Sequence, residues 1–324
     1  MTGEELAQAD AGDAPVTPPR EAPDRRDGLG YVTHKRIELA IKVALATGRP
    51  LLLRGEPGSG KSSLAAHIAR TKEWRYYEHV VTSRTQGRDL LWTYDHVRRL
   101  SDAQVRDSGT ELRDQRYVTP GPLWWAFDPE SATGEGGDQR VDPWHEVNRE
   151  RKRHCAVVLI DEIDKADPDM PNSLLVPLGS NRFTVQETGQ EVLKRTLVVE
   201  GEPGQHLVVI TTNEERELPQ AFLRRCVVLA LKEPDQDRLV EIAKAHFTTE
   251  TDEFTEADRD LAKELADALL KTRVHAKEKG LRPPSTAEFL DALRACKELS
   301  IDTGHPLWPE LKRLTLLKPQ QPEG

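Results

Sequence analysis

The chain has 324 residues, which is long enough for one large domain and one smaller domain. Of these residues, 37% are hydrophobic and 31% are charged, a balance typical of a soluble globular protein. Its formal net charge of −9 argues against broad coating of nucleic acid, but it leaves room for a local basic patch. Cys155, Cys226 and Cys296 form no C-x-x-C pair, which argues against a zinc site or a disulfide framework. Because the sequence has neither an apolar run of membrane-spanning length nor a signal-peptide pattern, we expect a cytoplasmic protein with no membrane partner.

The first segments predict a tail, a helix and a strand. Residues 1–27 are rich in Ala, Asp, Glu and Pro and poor in large apolar side chains, so we predict a disordered tail. A helix is predicted after Thr33, its N-cap residue, because apolar residues recur at the helical period until Gly48. The short apolar run at residues 51–53 predicts the first strand.

This strand leads directly into a phosphate-binding loop. Residues 55–62 read G-E-P-G-S-G-K-S, a complete G-x-x-x-x-G-K-[ST] pattern. Glycines let backbone N–H groups surround an anion, and the helix predicted next begins with its positive dipole end at the same point. A bare glycine-rich turn is the alternative, but the flanking strand and helix favour a nucleotide site. It comprises Gly55, Glu56, Pro57, Gly58, Ser59, Gly60, Lys61, Ser62 and Ser63.

Two side chains of the loop have predicted tasks. The Lys61 ammonium can reach the β- and γ-phosphates, and the Ser62 hydroxyl can join the coordination shell of Mg²⁺.

A long interval follows the second strand, which we predict at residues 79–82. It exceeds what a simple crossover requires and contains a predicted helix at residues 89–100, a broken strand at 117–122 and an aromatic segment at 123–127. Trp124, Trp125 and Phe127 either pack this insert onto the core or form an exposed surface that grips a client protein. We favour packing.

A second motif converts the nucleotide site into a predicted hydrolase. Residues 156–160 read A-V-V-L-I, as expected of a central parallel strand buried on both faces, and Asp161 and Glu162 follow. At the carboxyl end of the strand, Asp161 is placed to hold Mg²⁺ through water and Glu162 to polarise the attacking water. An acidic turn that closes a core strand is the alternative, which the upstream phosphate loop makes less favourable.

Further strands end in polar groups. We predict a short helix at residues 172–178, a hairpin from 183–185 and 193–199, a strand at 206–210 and a last strand at 227–229. Asn213 can bond the attacking water or the γ-phosphate, unless it only caps a turn. Arg224 and Arg225 end a solvated helix or supply a guanidinium to a neighbouring subunit's γ-phosphate.

The pattern after residue 232 is helical and charged. Helices are predicted at residues 239–247, 257–275 and 288–299, and a capping box of Ser285 and Glu288 defines the start of the last. Parallel strands alternating with helices, then helices alone, predict an α/β fold. We expect a P-loop NTPase core with a three-layer α/β/α arrangement at residues 28–231. A smaller all-helical lid and a C-terminal tail then occupy residues 232–324.

In this order and spacing, the motifs resemble an AAA+ ATPase, and more narrowly the MoxR-like branch of the group with an insert in its second helix. Residues 55–62 match Walker A, residues 157–162 match Walker B, Asn213 matches sensor 1, and L-P-Q-A-F-L-R-R-C at residues 218–226 matches the arginine-finger segment. The segment 117–127 lies where this group carries an extra hairpin, and 183–199 where a pre-sensor hairpin is common. The resemblance extends over residues 28–299.

The resemblance implies a homo-oligomeric ring, usually hexameric, with ATP and Mg²⁺ between neighbouring subunits. Arg225 aligns best with the arginine finger, and Arg224 is a near substitute. Tyr31 and Val32 lie where such proteins often pack the adenine, with ordinary core packing as the alternative. One departure is that the first turn of the last predicted helix lacks the sensor 2 arginine. Arg282 is the first candidate to replace it, and Arg294 is the second.

The resemblance implies a chaperone-like motor that hydrolyses ATP to remodel a protein client. Relatives often act beside a partner with a von Willebrand-type domain or in bacterial defence systems. A nucleic-acid translocase or restriction motor is the alternative, but its basic clusters would be only 98–99 and 149–154, which solvated faces explain more simply. The long lid and the paired arginines disfavour a monomeric P-loop kinase.

Overall fold

The computed structural model describes residues 28–105, 112–134, 139–199, 201–248 and 253–316. The tail predicted at residues 1–27 lies outside these ranges. Among the described residues, no helix combines the length and the apolar character that crossing a membrane requires.

The helices and strands fall into three groups along the chain. The first comprises α1 (Lys35–Thr47), β1 (Leu51–Arg54), α2 (Lys61–Thr71), β2 (Trp74–Val80), β3 (Trp92–Tyr94), α3 (His96–Val105), β4 (Val118–Pro120), α4 (Pro122–Phe127), α5 (Pro129–Thr133) and α6 (His145–Asn148). The second comprises β5 (Lys152–Asp161), α7 (Met170–Ser173), α8 (Leu175–Ser180), β6 (Arg182–Val185), β7 (Gln190–Leu193), β8 (Val198–Val199), β9 (Glu202–Pro203), β10 (His206–Thr212), α9 (Gln220–Leu223) and β11 (Val227–Ala230). The third comprises α10 (Gln236–Phe247), α11 (Glu256–Glu278), α12 (Thr286–Leu299) and α13 (Trp308–Leu316).

Five strands form one parallel sheet in the order β11-β1-β10-β5-β2. Successive residues of β1 face opposite sides of the sheet: Leu52 joins the apolar cluster beneath the insert, whereas Leu51 and Leu53 join the cluster with α1 and α2. The predicted three-layer P-loop fold is therefore confirmed. Because all five strands are parallel, the segments that follow β1, β5 and β10 meet at one edge of the sheet.

The aromatic segment of the insert is packed into the core. Trp124, Trp125 and Phe127 are at most 2% exposed. The Trp124 ring lies edge-on to Phe183 of the β6–β7 hairpin, with centroids 6.0 Å apart. Arg75 of β2 is also buried and donates a 2.7 Å hydrogen bond to the Trp125 carbonyl near the end of α4, where a cation is favourable. An exposed client-gripping surface made of these three aromatic side chains is therefore excluded.

The helix predicted at residues 89–100 is wrong. Residues Gly87–Leu90 form a 3₁₀ turn, β3 follows, and α3 begins only at His96. The aromatic and β-branched side chains of β3 favour a strand, and its antiparallel pairing with β4 overrides the helical periodicity.

Other predicted elements exist with shifted bounds. The strand predicted at residues 79–82 starts at Trp74, because the aromatic residues before His79 are buried and pair with β5. The hairpin pairs β6 with β7, so its second strand ends at Leu193 where the prediction began it. His34, and not Thr33, is the N-cap residue of α1, whereas Gly48 ends the helix as predicted, in the left-handed conformation.

The four last helices pack around their own apolar cluster, which includes Leu265, Leu269, Phe289 and Leu293. The predicted capping box of α12 is confirmed: the Ser285 backbone N–H donates to the Glu288 carboxylate at 2.6 Å, and the Ser285 hydroxyl accepts from the Glu288 N–H at 3.4 Å. Helix α13 was not predicted from the sequence.

The buried aromatic segment yields a stability prediction. Trp124→Ala removes a fully buried indole, so we expect it to lower the free energy of unfolding by about 3–5 kcal/mol, measured by denaturant titration. Val97→Ala on α3, where the side chain is 82% exposed, is the control and should change stability by less than about 0.5 kcal/mol. Equal small effects of both variants would contradict the core position of Trp124.

Candidate functional site

The loop between β1 and α2 has the backbone of a phosphate cradle. Gly58 and Gly60 adopt left-handed φ values of 77° and 83°, and Gly60 is the N-cap residue of α2. Lys61 is buried under the loop, and its ammonium donates to the carbonyl oxygens of Gly55 at 2.6 Å and Glu56 at 2.9 Å. Burial lowers the pKa of Lys61, whereas the nearby carboxylates, with Asp161 foremost, raise it. The loop therefore holds a cation and a helix N-terminus at one point.

A hydrogen-bonded network connects this loop to the two neighbouring strands. The Ser62 hydroxyl donates to both oxygens of Asp161, at 2.8 and 2.9 Å, and the Thr211 hydroxyl donates to Asp161 Oδ1 at 2.6 Å. Thr211 Oγ1 in turn accepts the Glu162 backbone N–H at 2.8 Å. These side chains present only oxygen donors, the ligand type that Mg²⁺ prefers.

Glu162 is held at both carboxylate oxygens. Its backbone is left-handed, with φ 61° and ψ 49°, at the end of β5. Oε2 accepts from the Lys165 ammonium at 2.7 Å, and Oε1 accepts from the Asn213 side-chain amide at 3.3 Å. The hydrogen bond from Lys165 to this carboxylate raises the pKa of Lys165. The predicted base and the predicted sensor are therefore in direct contact.

A cavity of about 910 Å³ opens beside these groups. The predicted site residues that line it are Tyr31, Val32, Gly58, Ser59, Gly60, Ser62, Ser63, Asp161, Glu162 and Arg282. Lys61 and Asn213 do not line it but contact the loop and Glu162, respectively. Gly55, Glu56 and Pro57 belong to the same loop without lining the cavity.

Tyr31 and Val32 form one wall of the cavity. The Tyr31 ring lies 5.3 Å from the His67 ring of α2, and burial raises the pKa of Tyr31 to about 12. The Val32 carbonyl accepts a hydrogen bond from Arg238 of α10. This bond connects the segment before α1 to the helical region.

The helical region closes the opposite side of the cavity. A Cβ atom built on Gly58 would lie 2.3 Å from the Cβ atom of Ser285, so the crest of the phosphate loop touches the start of α12. Ser285, Thr286 and Arg282 all line the cavity. Arg282 therefore lines the same cavity as the phosphate loop, although it precedes α12.

Arg224 and Arg225 do not join the other predicted site residues. Both are exposed after α9, and neither lines the cavity. The Arg224 carbonyl accepts a 2.9 Å hydrogen bond from Arg49. Neither guanidinium therefore belongs to the cavity of its own chain in this structure.

Sequence reasoning missed several residues of the site. Thr211 and Lys165 bond the predicted catalytic acids, and Arg238, Ser285 and Thr286 line the cavity. A signal existed for Thr211, because alignment of the apolar runs of β10 and β5 places it beside Asp161. The contacts from α10 and α12 depend on the packing of distant segments and leave no local signal.

Comparison with known families and structures gives the following matches. The sequence profile of the AAA domain (dynein-related subfamily) matches residues 50–226. A candidate ATPase from Cytophaga hutchinsonii is 14% identical, with a TM-score of 0.43 and coverage of 88% of this chain and 81% of its own. A RuvB variant from Thermotoga maritima is 13% identical, with a TM-score of 0.44 and coverage of 86% of this chain and 67% of its own. A search of curated protein sequences found no significant match.

The contact between Gly58 and Ser285 yields a prediction. Gly58→Ala places a methyl group where Ser285 lies, so we expect the first turn of α12 to loosen and its backbone amides to exchange hydrogen faster. Gly48→Ala is the matched control, because Gly48 also has a positive φ but no atom within 4 Å of the added Cβ. Hydrogen–deuterium exchange of residues 285–290 is the measurement. Equal exchange in both variants would contradict a direct contact.

Proposed function

Because this chain belongs to the dynein-related AAA domain family, we propose that it binds ATP with Mg²⁺ in the described cavity and hydrolyses ATP to ADP and phosphate. The observation that carries the proposal is the network of Ser62, Asp161, Thr211 and Glu162, which places metal-binding oxygens next to a candidate general base. This network lies at the carboxyl edge of the parallel sheet, where α/β proteins bind ligands.

In the proposed complex, the phosphates occupy the loop of residues 55–62. Its backbone N–H groups and the N-terminus of α2 neutralise anionic oxygens, and Lys61 exchanges its carbonyl partners for the β- and γ-phosphates. Ser62 and Asp161 hold Mg²⁺, whose charge stabilises the transferred phosphoryl group. Their all-oxygen donor set fits that ion.

We propose one set of residues that packs against the adenine and one residue that acts from the lid side of the cavity. Tyr31 and Val32 pack the base, because they line the cavity beside the phosphate loop. Arg282 lies on the lid side of the same cavity, so we propose that it takes the place of the sensor 2 arginine. The corresponding domain division is a core at residues 28–231 and a lid beginning at residue 232.

For hydrolysis, we propose that Glu162 accepts a proton from the attacking water and that Asn213 orients the two. The Asn213 amide already bonds Glu162 Oε1, so the carboxylate is held in one orientation before substrate arrives. Lys165 fixes the other oxygen.

The role of Glu162 is testable by Glu162→Gln. The amide keeps the shape of the side chain but accepts protons poorly, so we expect the ATP turnover number to fall by about 10²-fold or more while ATP affinity is retained. Phosphate release and nucleotide-binding titration measure the two quantities. Unchanged turnover would remove Glu162 from its proposed role.

We further propose that the chain works as a homo-oligomer, a ring of six subunits by family resemblance, in which Arg225 reaches the γ-phosphate of a neighbouring subunit. The exposure of Arg224 and Arg225 and their position outside their own cavity support this proposal. Arg225 is the first choice and Arg224 the second.

The trans-acting arginine is testable by mixing subunits. Arg225→Ala should leave ATP binding to isolated subunits unchanged and reduce hydrolysis in the assembly by about 10³-fold, or about 4 kcal/mol of transition-state stabilisation. Arg224→Ala is the matched comparison, because it removes the adjacent exposed guanidinium. If mixing Arg225→Ala with Glu162→Gln, each nearly inactive alone, restores no turnover, Arg225 does not act across subunits, because a trans-acting arginine of the Glu162→Gln subunit would complete the site of its Arg225→Ala neighbour.

The proposed biological role is a MoxR-like cytoplasmic motor that remodels a protein client, such as a partner with a von Willebrand-type domain. Motion of the lid against the phosphate loop, through the Gly58–Ser285 contact, would transmit the nucleotide state. A nucleic-acid translocase is disfavoured by the basic clusters: Arg99 pairs with Asp114 at 2.7 Å, and Arg151 donates to the Trp74 carbonyl at 3.0 Å. Hydrolysis that DNA stimulates would favour this second function instead.

A further inference from the structure

Asp164 is a buried acid close to the proposed catalytic groups. It lies in the 3₁₀ turn Ile163–Lys165 directly after Glu162, and it is only 3% exposed. Its Oδ2 atom accepts the backbone N–H groups of Asn213 at 3.1 Å and of Glu215 at 2.9 Å. This carboxylate therefore connects the turn after β5 to the loop after β10.

The loop that Asp164 holds has an unusual backbone. Glu214, between the two donors, is left-handed with φ 61°, a conformation that residues other than glycine rarely adopt. The Glu214 N–H donates to Thr212 Oγ1 at 2.9 Å, so three successive backbone N–H groups point at side-chain oxygens. Two of these groups, from Asn213 and Glu215, converge on the Asp164 carboxylate, as backbone N–H groups in such a turn converge on an anion.

The contact between this loop and the proposed catalytic group is a long hydrogen bond that depends on where the Asn213 backbone lies. The hydrogen bond from Asn213 Nδ2 to Glu162 Oε1 is 3.3 Å long, near the upper limit for such a bond. A shift of the Asn213 backbone away from Glu162 would therefore weaken it further. Lys165 holds the other oxygen of Glu162, so neighbouring residues of one turn control both partners of this pair.

We propose that Asp164 is a positioning residue for hydrolysis, which acts through the backbone of Asn213 to fix the amide of that residue against Glu162. The inference rests on the proposed ATPase function. The alternative is that the Asp164 charge supports the Lys61 ammonium, whose pKa it raises as a lesser contributor. An uncharged hydrogen-bond acceptor at position 164 can fill the positioning role, but it cannot supply the negative charge that the alternative requires.

The Asp164 oxygen that accepts no hydrogen bond allows an experiment to separate the effect of the bond from the effect of the charge. Oδ1 is buried and accepts no hydrogen bond within the described residues, so Asp164→Asn can keep the bonding oxygen while an uncharged amide nitrogen replaces Oδ1. Asp164→Ala loses both the bonding oxygen and the charge. Asp167→Ala is the matched control, because the carboxylate of the exposed Asp167 accepts, within the described residues, only the Asp169 N–H at 3.1 Å, in its own turn.

The experiment measures the ATP turnover number and the ATP dissociation constant of the full chain for each variant. We expect Asp164→Ala to lower turnover by about 10- to 100-fold, the scale of a small misplacement, with unchanged ATP affinity. Asp164→Asn and Asp167→Ala should both stay close to wild type. The double variant Asp164→Ala/Asn213→Ala should lose no more than Asn213→Ala alone, because both changes remove the same contact.

Several outcomes would overturn the inference. Turnover of Asp164→Asn as low as that of Asp164→Ala, or weaker ATP binding by Asp164→Asn, would show that the charge matters and not the bond. Fully additive losses in the double variant would show a role independent of Asn213. A wild-type protein without ATPase activity would contradict the proposed function itself, whereas an active wild type with a normal Asp164→Ala variant would contradict this inference alone.

Discussion

The site depends on the buried carboxylate of Asp161, which accepts hydrogen bonds from two other segments of the chain, the start of α2 and the end of β10. Asp161 is 4% exposed, and an ionised carboxylate at such a position is costly unless it is fully bonded. Ser62 and Thr211, both on the β10 side of Asp161, supply three hydrogen-bond contacts from two hydroxyl groups. Because β10 lies between β1 and β5, Thr211 stands directly beside Asp161, and the Ser62 hydroxyl reaches the same carboxylate from the start of α2. The same bonds align the phosphate loop with Glu162, so the fold and the chemistry share one constraint.

The local sequence was sufficient to predict those parts of the candidate site whose residues are adjacent along the chain. The loop at residues 55–62 and the pair Asp161 and Glu162 each carry their pattern within a few residues, and the apolar runs beside them identify buried parallel strands. Prediction failed where pairing between distant segments decides the conformation. Residues 92–94 fit a helical period, but they form β3 because β4 offers a partner. The contacts that Arg238 and Ser285 bring to the cavity could not be predicted, because they depend on how α10 and α12 pack against the core.

The structure shows what occupies the start of α12, whose first turn has no arginine. Ser285, at the N-cap of α12, packs directly on Gly58, so the lid touches the phosphate loop by close backbone approach and not through a long side chain. A glycine is required at this crest both for its φ of 77° and for the space that Ser285 occupies. Arg282 reaches the same cavity from the segment before the helix, which leaves the capping box of Ser285 and Glu288 intact.

The charges around Glu162 bear on whether one chain can complete the proposed reaction. Lys165 is already bonded to Glu162, and Lys61 to the carbonyl oxygens of its own loop. Charge that develops on a transferred phosphoryl group is best stabilised by a planar guanidinium that arrives without prior partners inside the site. Arg224 and Arg225 are exposed just before β11, an edge strand of the sheet, and neither lines the cavity of its own chain. This exposed position outside the cavity is the observation behind the proposal that a second copy of the chain completes the site.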